Sequence, residues 1–307
     1  MAQKSEAHDR SGGISLKVRA LSNFSIGVDS VTDAKLGMEV TMNTLYLYIR
    51  SMGMLLKSHL QYPASFFMQT LAQLVMEGGE MMAVILIIDR FNNLNQWTGG
   101  DLFIFFGIMS VSFYLTEFFG RGVTGEFPSL VRSGKLDTLL LRPRGILTQV
   151  LCSAIDPRRI TCIAVGVAAI IMGSMITGLH WTFLKVLVLA ESILMSCMLI
   201  LGLFLIEALF CIHSVKSVEL VNALTYGGRS ACQYPIDTYP RPLRILFTVI
   251  APFALTMHVP AAWILDKPLY GWPTWTVFVT PLSGAVVLTV MVLLFHRGIR
   301  FYRSTGS

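Results

Sequence analysis

Long apolar stretches that carry almost no charge constrain this chain more than any other feature. Each is about as long as a helix that crosses a bilayer, which needs about 20 apolar residues. Only 14% of the 307 residues are charged, whereas soluble domains carry roughly 25%. We therefore predict an all-α integral membrane protein with six transmembrane helices, at roughly 66–88, 102–119, 160–178, 183–211, 243–265 and 275–295.

The distribution of lysine and arginine predicts how these helices are oriented. The connections at 120–159 and 212–244 and both tails are rich in these residues, whereas the alternate connections hold only Arg90, Lys185 and Lys267. Cytoplasmic loops carry the excess of positive charge. The pattern therefore predicts a multi-pass protein with both termini in the cytoplasm, and it argues against nucleic-acid binding.

Three short parts of the chain flank the membrane domain. We predict a polar cytoplasmic tail at 1–35, an amphipathic elbow helix at 36–62, a membrane domain at 63–300 and a cytoplasmic C-terminus at 301–307. The elbow prediction rests on apolar residues spaced alternately four and three apart, which lie on one helical face: Met38, Met42, Leu45, Ile49, Met52 and Leu56. Such a helix lies in the membrane interface or packs on a neighbouring protein segment.

Two prolines interrupt the fifth apolar stretch. Pro252 and Pro260 each lack a backbone N–H, and lipid cannot satisfy the carbonyl groups that this frees. We therefore predict a broken or re-entrant element within 252–275 on the outer side, with Pro252, Phe253 and Pro260 as candidates for an outer gate. The alternative is a kinked span followed by a structured loop.

Motifs of nucleotide hydrolysis, proteolysis and metal binding are missing from the sequence. The nearest approach to a phosphate-binding loop, Ser133-Gly134-Lys135-Leu136, lacks the upstream glycine and the hydroxyl that would hold magnesium. The six histidines are scattered without ligand spacing, and the five cysteines form no C-x-x-C pair. We predict no catalytic site, no metal site and no cofactor bound by this chain.

The loop at 120–159 carries the most informative local pattern. Leu136, Leu139 and Leu140 would form one apolar face of a short helix that Pro143 ends, with Arg142 and Arg144 beside it. An apolar ridge flanked by arginines suits docking into a groove of a soluble partner. The alternative is that this ridge lies on the membrane surface.

These residues also resemble a known family. Gly134–Arg144 is similar to the G-x-L-D-x-x-L-L-R-P signature of a bacterial branch of the ABC type-2 permeases, the membrane subunits of ATP-binding-cassette exporters. A second similarity is Tyr234-Pro235-Ile236-Asp237-x-Tyr239, followed by Leu243-Arg244, the Pro-Phe-Ala element at 252–254, and Pro260.

The resemblance implies a specific assembly in a bacterial cytoplasmic membrane. It implies six spans, an elbow helix, a cytoplasmic loop that couples to the ATPase, and two short re-entrant helices before the last span. Two permeases, as a homodimer or as a heterodimer of related chains, would join two ATPase subunits that hold ATP and magnesium. The residues expected to couple to the ATPase are Leu136, Asp137, Leu139, Leu140, Arg142 and Arg144.

Three acidic residues within apolar stretches are candidates for the substrate pathway, because buried carboxylates are costly in a membrane. Glu77 and Glu80 share one helical face, and Glu191 would lie at a similar depth. They would favour a lipophilic cation among lipid-like or drug-like substrates, or they are hydrogen-bonded to neighbouring helices. The alternative functions are a secondary transporter that uses these acids as ion sites and a membrane scaffold without transport.

Overall fold

The computed structural model describes residues 49–58, 61–91, 96–142, 144–213, 218–269, 273–300 and 302. The chain divides into two compact units, residues 1–51 and residues 52–307. The predicted tail at 1–35 and most of the predicted elbow helix lie outside the described residues, although residues 49–58 are helical. Regular secondary structure in the described part is entirely helical, which confirms the predicted all-α class.

The helices differ widely in length. Those of 15 residues or more are α1, α2, α6, α7, α8 and α12, and shorter helices connect them. In chain order they are α1 (Pro63–Phe91), α2 (Gly99–Arg121), α3 (Phe127–Arg132), α4 (Leu136–Leu140), α5 (Ile146–Leu151), α6 (Arg159–Thr177), α7 (Phe183–His213), α8 (Val218–Cys232), α9 (Arg241–Ile245), α10 (Val259–Ile264), α11 (Thr276–Val279) and α12 (Ser283–Arg300).

Four helical stretches of the described chain are long and apolar enough to cross a membrane, namely Gly99–Arg132, Arg159–Thr177, Phe183–Ile212 and Thr276–Arg300. They coincide with four of the six predicted spans. A fifth prediction, 66–88, lies within the 29-residue helix α1. A bent pair, Arg241–Ile250 and Ala254–Ile264, would raise the count to five if it were a single span.

Contacts between helix ends define two ends of the bundle. At the Trp97 end, Lys267 lies 3.2 Å from Asp101 and Trp97 Nε1 donates to Asp237 at 2.9 Å. At the Arg159 end, Arg159 lies 2.9 Å from Glu117. Trp97 and Glu117 are about 20 residues apart along α2, which corresponds to about 30 Å of helix. That distance equals the thickness of the hydrocarbon core of a bilayer.

Helix α8 runs antiparallel to α2 between these two ends. Tyr226 donates its hydroxyl proton to Glu117 at 3.0 Å, and Asp237, which follows α8, lies against Trp97. The segment 212–244, predicted as a connection at one side of the membrane, therefore runs from the Arg159 end to the Trp97 end of the bundle. Its polar residues suggested solvent, but several of them face neighbouring helices.

The predicted span at 243–265 is not a straight helix. Its two halves, Arg241–Ile250 and Ala254–Ile264, meet at an angle of 85°. Asp237 precedes the pair and Lys267 follows it, and both contact Trp97. The pair therefore enters and leaves at the same end of the bundle, as a re-entrant element. The predicted break is confirmed, whereas the predicted fifth crossing at this position is wrong.

The most extensive helix packing joins α2 to α6. A Cβ atom added to Gly107 would lie 2.6 Å from the Gly166 carbonyl oxygen, and one added to Gly173 would lie 2.6 Å from the Gly100 oxygen. Small residues allow membrane helices to approach closely in this way. Gly166 and Gly173 therefore allow α6 to pack closely on α2, and α2 becomes a buried central helix.

Candidate functional site

A polar stripe on α1 holds this helix against its neighbours. Gln69, Gln73, Glu77 and Glu80 are spaced four, four and three residues apart, so they lie on one helical face. Gln73 accepts a hydrogen bond from Arg159 at 2.6 Å, and Gln69 accepts one from Arg158. The remaining surface of α1 is largely exposed and apolar, including Phe67, Met68, Leu71, Leu74, Val75 and Met76.

The C-terminal end of this stripe holds a largely buried ion cluster, formed by Glu77 and Glu80 of α1 and Arg229 of α8. Arg229 donates to both oxygens of Glu80, at 3.0 and 2.6 Å, and to Glu77 at 2.9 Å. The side chain of Arg229 is 9% exposed and that of Glu77 is 1% exposed. Such bidentate, charge-assisted hydrogen bonds are among the strongest polar contacts in proteins.

Neutral donors complete the ion cluster. Ser110 donates to Glu77 at 2.8 Å, the Tyr114 hydroxyl also donates to Glu77, and Gln233 donates to Glu80 at 2.8 Å. The Arg229 guanidinium also lies 4.8 Å from the centre of the Tyr114 ring. Two carboxylates face one guanidinium in this cluster, so its formal charge is −1.

A second polar cluster lies at the Arg159 end. Glu117 contacts Arg159 and Tyr226, and Asp156 is bound by Arg158 at 2.6 and 2.9 Å. Burial alone would raise the pKa of Asp156, but the hydrogen bonds and charges of Arg158 and Arg159 outweigh it and hold that pKa below its ordinary range. The charged form of Asp156 therefore stabilises the start of α6.

This cluster predicts a pH-dependent effect of Asp156→Asn. A carboxyl whose pKa is lowered by folding contributes stability above its unfolded pKa and loses it as the pH falls through its folded pKa. We expect the variant to melt at a lower temperature than the parent at neutral pH, and we expect this difference to shrink as the solution is acidified. Thermal unfolding of the detergent-purified protein across pH measures it. An equal difference at all pH values would contradict this role.

The connecting loop between α2 and α6 departs from the predicted apolar ridge. Leu136 is fully buried and Leu139 packs against the core, so these two leucines face inward. Leu140 remains exposed, and Leu141, which the prediction omitted, is 86% exposed. The exposed part of this loop segment therefore consists of Leu140, Leu141, Arg142 and Arg144, while Asp137 is half-buried beside it, and the coupling role of these residues stays a prediction.

Two glycines set the conformation of this loop. Gly134 has φ +69°, a left-handed conformation that favours glycine, and it makes the turn between α3 and α4. A Cβ atom on Gly122 would lie 1.8 Å from the Val150 oxygen. This close approach fixes the loop against the Arg159 end of α2.

The candidate pathway acids are separated by the structure. Glu77 and Glu80 meet in the ion cluster, as the hydrogen-bonded alternative predicted. Glu191 of α7 is half-buried, and within the described part of the chain no hydrogen bond or ion pair joins it to them. A pathway that uses all three acids stays a prediction.

The candidate gate residues lie at the bend of the re-entrant element. Pro252 stands at the bend, where Ala251 leaves the helical conformation with φ −120° and ψ 86°. Phe253 is fully buried, and its ring lies 2.9 Å from where a Cβ of Gly228 would be. Pro260 is buried in the first turn of α10. The gate role itself stays a prediction.

The family model described as ABC-2 family transporter protein matches residues 74–306. The chain belongs to the ABC-2 transporter family. The match begins within α1 and includes the ion cluster, the connecting loop and the re-entrant element. Neither a curated protein nor a solved structure matches the chain significantly. This ABC-2 family member is therefore a multi-pass membrane component of a transporter, and its family works with ABC ATPase subunits.

Arg229 is the main functional candidate that the sequence interpretation missed. It was counted among the cytoplasmic cations, although it lies between two helices inside the bundle. One signal could have located it: two glutamates in α1 need a buried cation, and Arg229 lies in a segment with small and aromatic neighbours. The Gln69–Gln73 extension of the stripe was equally visible in the four-residue spacing.

Proposed function

We propose that the chain is the permease subunit of an ATP-binding-cassette exporter in a bacterial cytoplasmic membrane. The six crossings are α1, α2, α6, α7, α8 together with Ile236–Thr238, and α12. An even number of crossings puts both termini on the same side as the arginine-rich loop at the Arg159 end, and that positive charge makes this side the cytoplasmic one. Family membership and the antiparallel contacts of α8 with α2 support this arrangement.

One observation carries the coupling part of the proposal. Leu140, Leu141, Arg142 and Arg144 form an exposed apolar and cationic surface in the loop at the Arg159 end, opposite the re-entrant element. An ATPase subunit that binds this surface could transmit movement to α2 and α6. Two ATPase subunits, which bind ATP and magnesium, would join this chain and a second permease that is either identical or related.

The ion cluster supports a substrate with a cationic head group. Arg229 neutralises only one of the two carboxylates, and the Glu80 side chain is 37% exposed. The substrate would be an amphiphile, lipid-like or drug-like, whose positive charge approaches this exposed edge. The occupied hydrogen bonds of Glu77 argue against a free ion site, which the secondary-transporter alternative requires.

Export of a cationic dye and a neutral dye of similar size tests this function. We expect cells that carry the chain and its ATPase to export the cationic dye as long as ATP is maintained. Export should continue when an uncoupler is present. Glu80→Gln should reduce cationic export roughly ten-fold, which corresponds to about 1.4 kcal/mol, and leave neutral export largely unchanged.

The same experiment separates the competing functions. Export that survives ATP depletion but stops with the uncoupler would contradict the ATP-driven proposal and support a secondary transporter. An equal loss of both dyes in the Glu80→Gln variant would contradict the cationic substrate while leaving the exporter itself intact.

A further inference from the structure

A cavity of about 260 Å³ lies beneath the re-entrant element at the Trp97 end. It is lined by the residues after α8, by both halves of the bent pair and by the segment that follows α10. Asp237, Arg244, Thr248 and His258 supply its polar wall, and Leu255 and Val259 are among its apolar residues. It is separate from the ion cluster and from the connecting loop.

His258 presents a hydrogen-bond donor to this cavity. Its Nδ1 atom accepts the backbone N–H of Ile236 at 3.4 Å, which in a neutral imidazole leaves the proton on Nε2. The rings of Trp97 and Phe105 hold the imidazole, with centroids 5.6 and 5.4 Å away. Among the described residues Nε2 has no hydrogen-bond partner, so this donor is available to a ligand.

Arg244 provides a positive charge on the same wall. Its side chain is exposed and makes no ion pair or side-chain hydrogen bond with the described residues. Ile245, Val249 and Ile250 around it are also exposed and apolar. The re-entrant element is inserted from one end of the bundle and places this guanidinium among apolar side chains, where a lipid phosphate would lie. Arginine binds phosphates through paired hydrogen bonds.

Asp237 determines which head group fits best. It lines the cavity, and both of its oxygens accept the Trp97 indole proton, so the carboxylate stays in place as a negative group. One carboxylate and one guanidinium leave the wall without net charge. A zwitterionic head group complements such a wall better than one with a net negative charge.

We propose that this cavity binds the head group of a phosphate-bearing amphiphile, with the phosphate against Arg244 and His258 Nε2 and an ammonium group directed toward Asp237. The acyl chains lie along Val249 and Ile250, outside the cavity. The ligand is a bilayer phospholipid or a single-chain amphiphile of the same head-group chemistry. Binding requires neither ATP nor an ATPase, so it can fail or succeed independently of the exporter function.

Native mass spectrometry of the full chain in neutral detergent tests the proposal. The probes are phosphatidylethanolamine, phosphatidylglycerol and diacylglycerol with identical acyl chains, and lysophosphatidylethanolamine as the single-chain form. We expect phosphatidylethanolamine to bind most tightly and diacylglycerol at least ten-fold more weakly. Tighter binding of the two-chain form identifies a bilayer lipid as the ligand, and tighter binding of the single-chain form identifies a free amphiphile.

Matched variants locate the site. Arg244→Gln should weaken phosphatidylethanolamine binding at least ten-fold, whereas Arg241→Gln, an exposed residue of the same helix that does not line the cavity, should leave it unchanged. Ala262→Phe, which fills the cavity without removing a charge, should also weaken binding. Equal binding of diacylglycerol, tighter binding of phosphatidylglycerol, or equal effects of the two arginine variants would overturn the proposal.

Discussion

Replacing Arg229 with methionine should destabilise the protein by about 3–5 kcal/mol, the usual cost of removing one partner from a buried ion pair. Glu77 would remain buried among helices without its cation, and Glu80 would lose two hydrogen bonds. We expect a fall in the thermal midpoint on the order of 10 °C and less folded protein in the membrane, both measured by size-exclusion chromatography of heated, detergent-solubilised samples.

Two further variants show whether charge is the cause. Combining Arg229→Met with Glu77→Gln and Glu80→Gln removes all three charges, and it should recover most of the lost stability because a neutral cluster leaves no uncompensated ion. Arg241→Met removes an exposed arginine and should change the midpoint little. If Arg229→Met were as stable as the parent, the ion cluster would not hold α1 to α8.

Introducing aspartate at both Leu140 and Leu141 should abolish copurification of the ATPase and ATP-dependent transport. Both leucines are exposed, so the change should cost the isolated chain little stability. At an interface, two buried carboxylates without partners are strongly unfavourable. The measurement is the amount of ATPase recovered with the affinity-tagged chain, compared at equal amounts of membrane-inserted protein.

Leu136→Asp provides the contrasting variant for the loop. Leu136 is fully buried, so its substitution should reduce the amount of folded protein instead of selectively releasing the ATPase. Undiminished ATPase recovery with the Leu140→Asp, Leu141→Asp double variant would show that the coupling surface lies elsewhere.

Four of the long helices could be predicted from hydropathy because apolar residues occupy most of their length. Helix α8 could not, since its sequence includes Asn222, Thr225, Arg229 and Ser230. A hydropathy argument assigns such residues to water. Here Arg229 is compensated by Glu77 and Glu80 on another helix, a contact about 150 residues away in sequence.

The re-entrant element was predicted as a span because its residues are apolar, whereas α8 was missed because many of its residues are polar. Residues 243–265 are apolar enough to resemble a span, but the chain bends by 85° at Ala251 and Pro252. The prolines indicated where the helix breaks. The end of the bundle at which the chain leaves the re-entrant element is set by the contacts of Asp237 and Lys267 with Trp97. In the loop, the three-and-four spacing correctly indicated an apolar helix face. That face points inward at Leu136, because Val131 and Phe127 contribute to the same core.

The arrangement of α8 is tested most directly by labelling single cysteines at Arg142 and Arg241 in a cysteine-free background. Both side chains are exposed, and a membrane-impermeant maleimide can be applied to intact cells and to inverted vesicles. We expect Arg142→Cys to react only in inverted vesicles and Arg241→Cys only in intact cells. Reaction of both cysteines from the same side would contradict the crossing by α8 and, with it, the separation of the ATPase-binding loop from the re-entrant element.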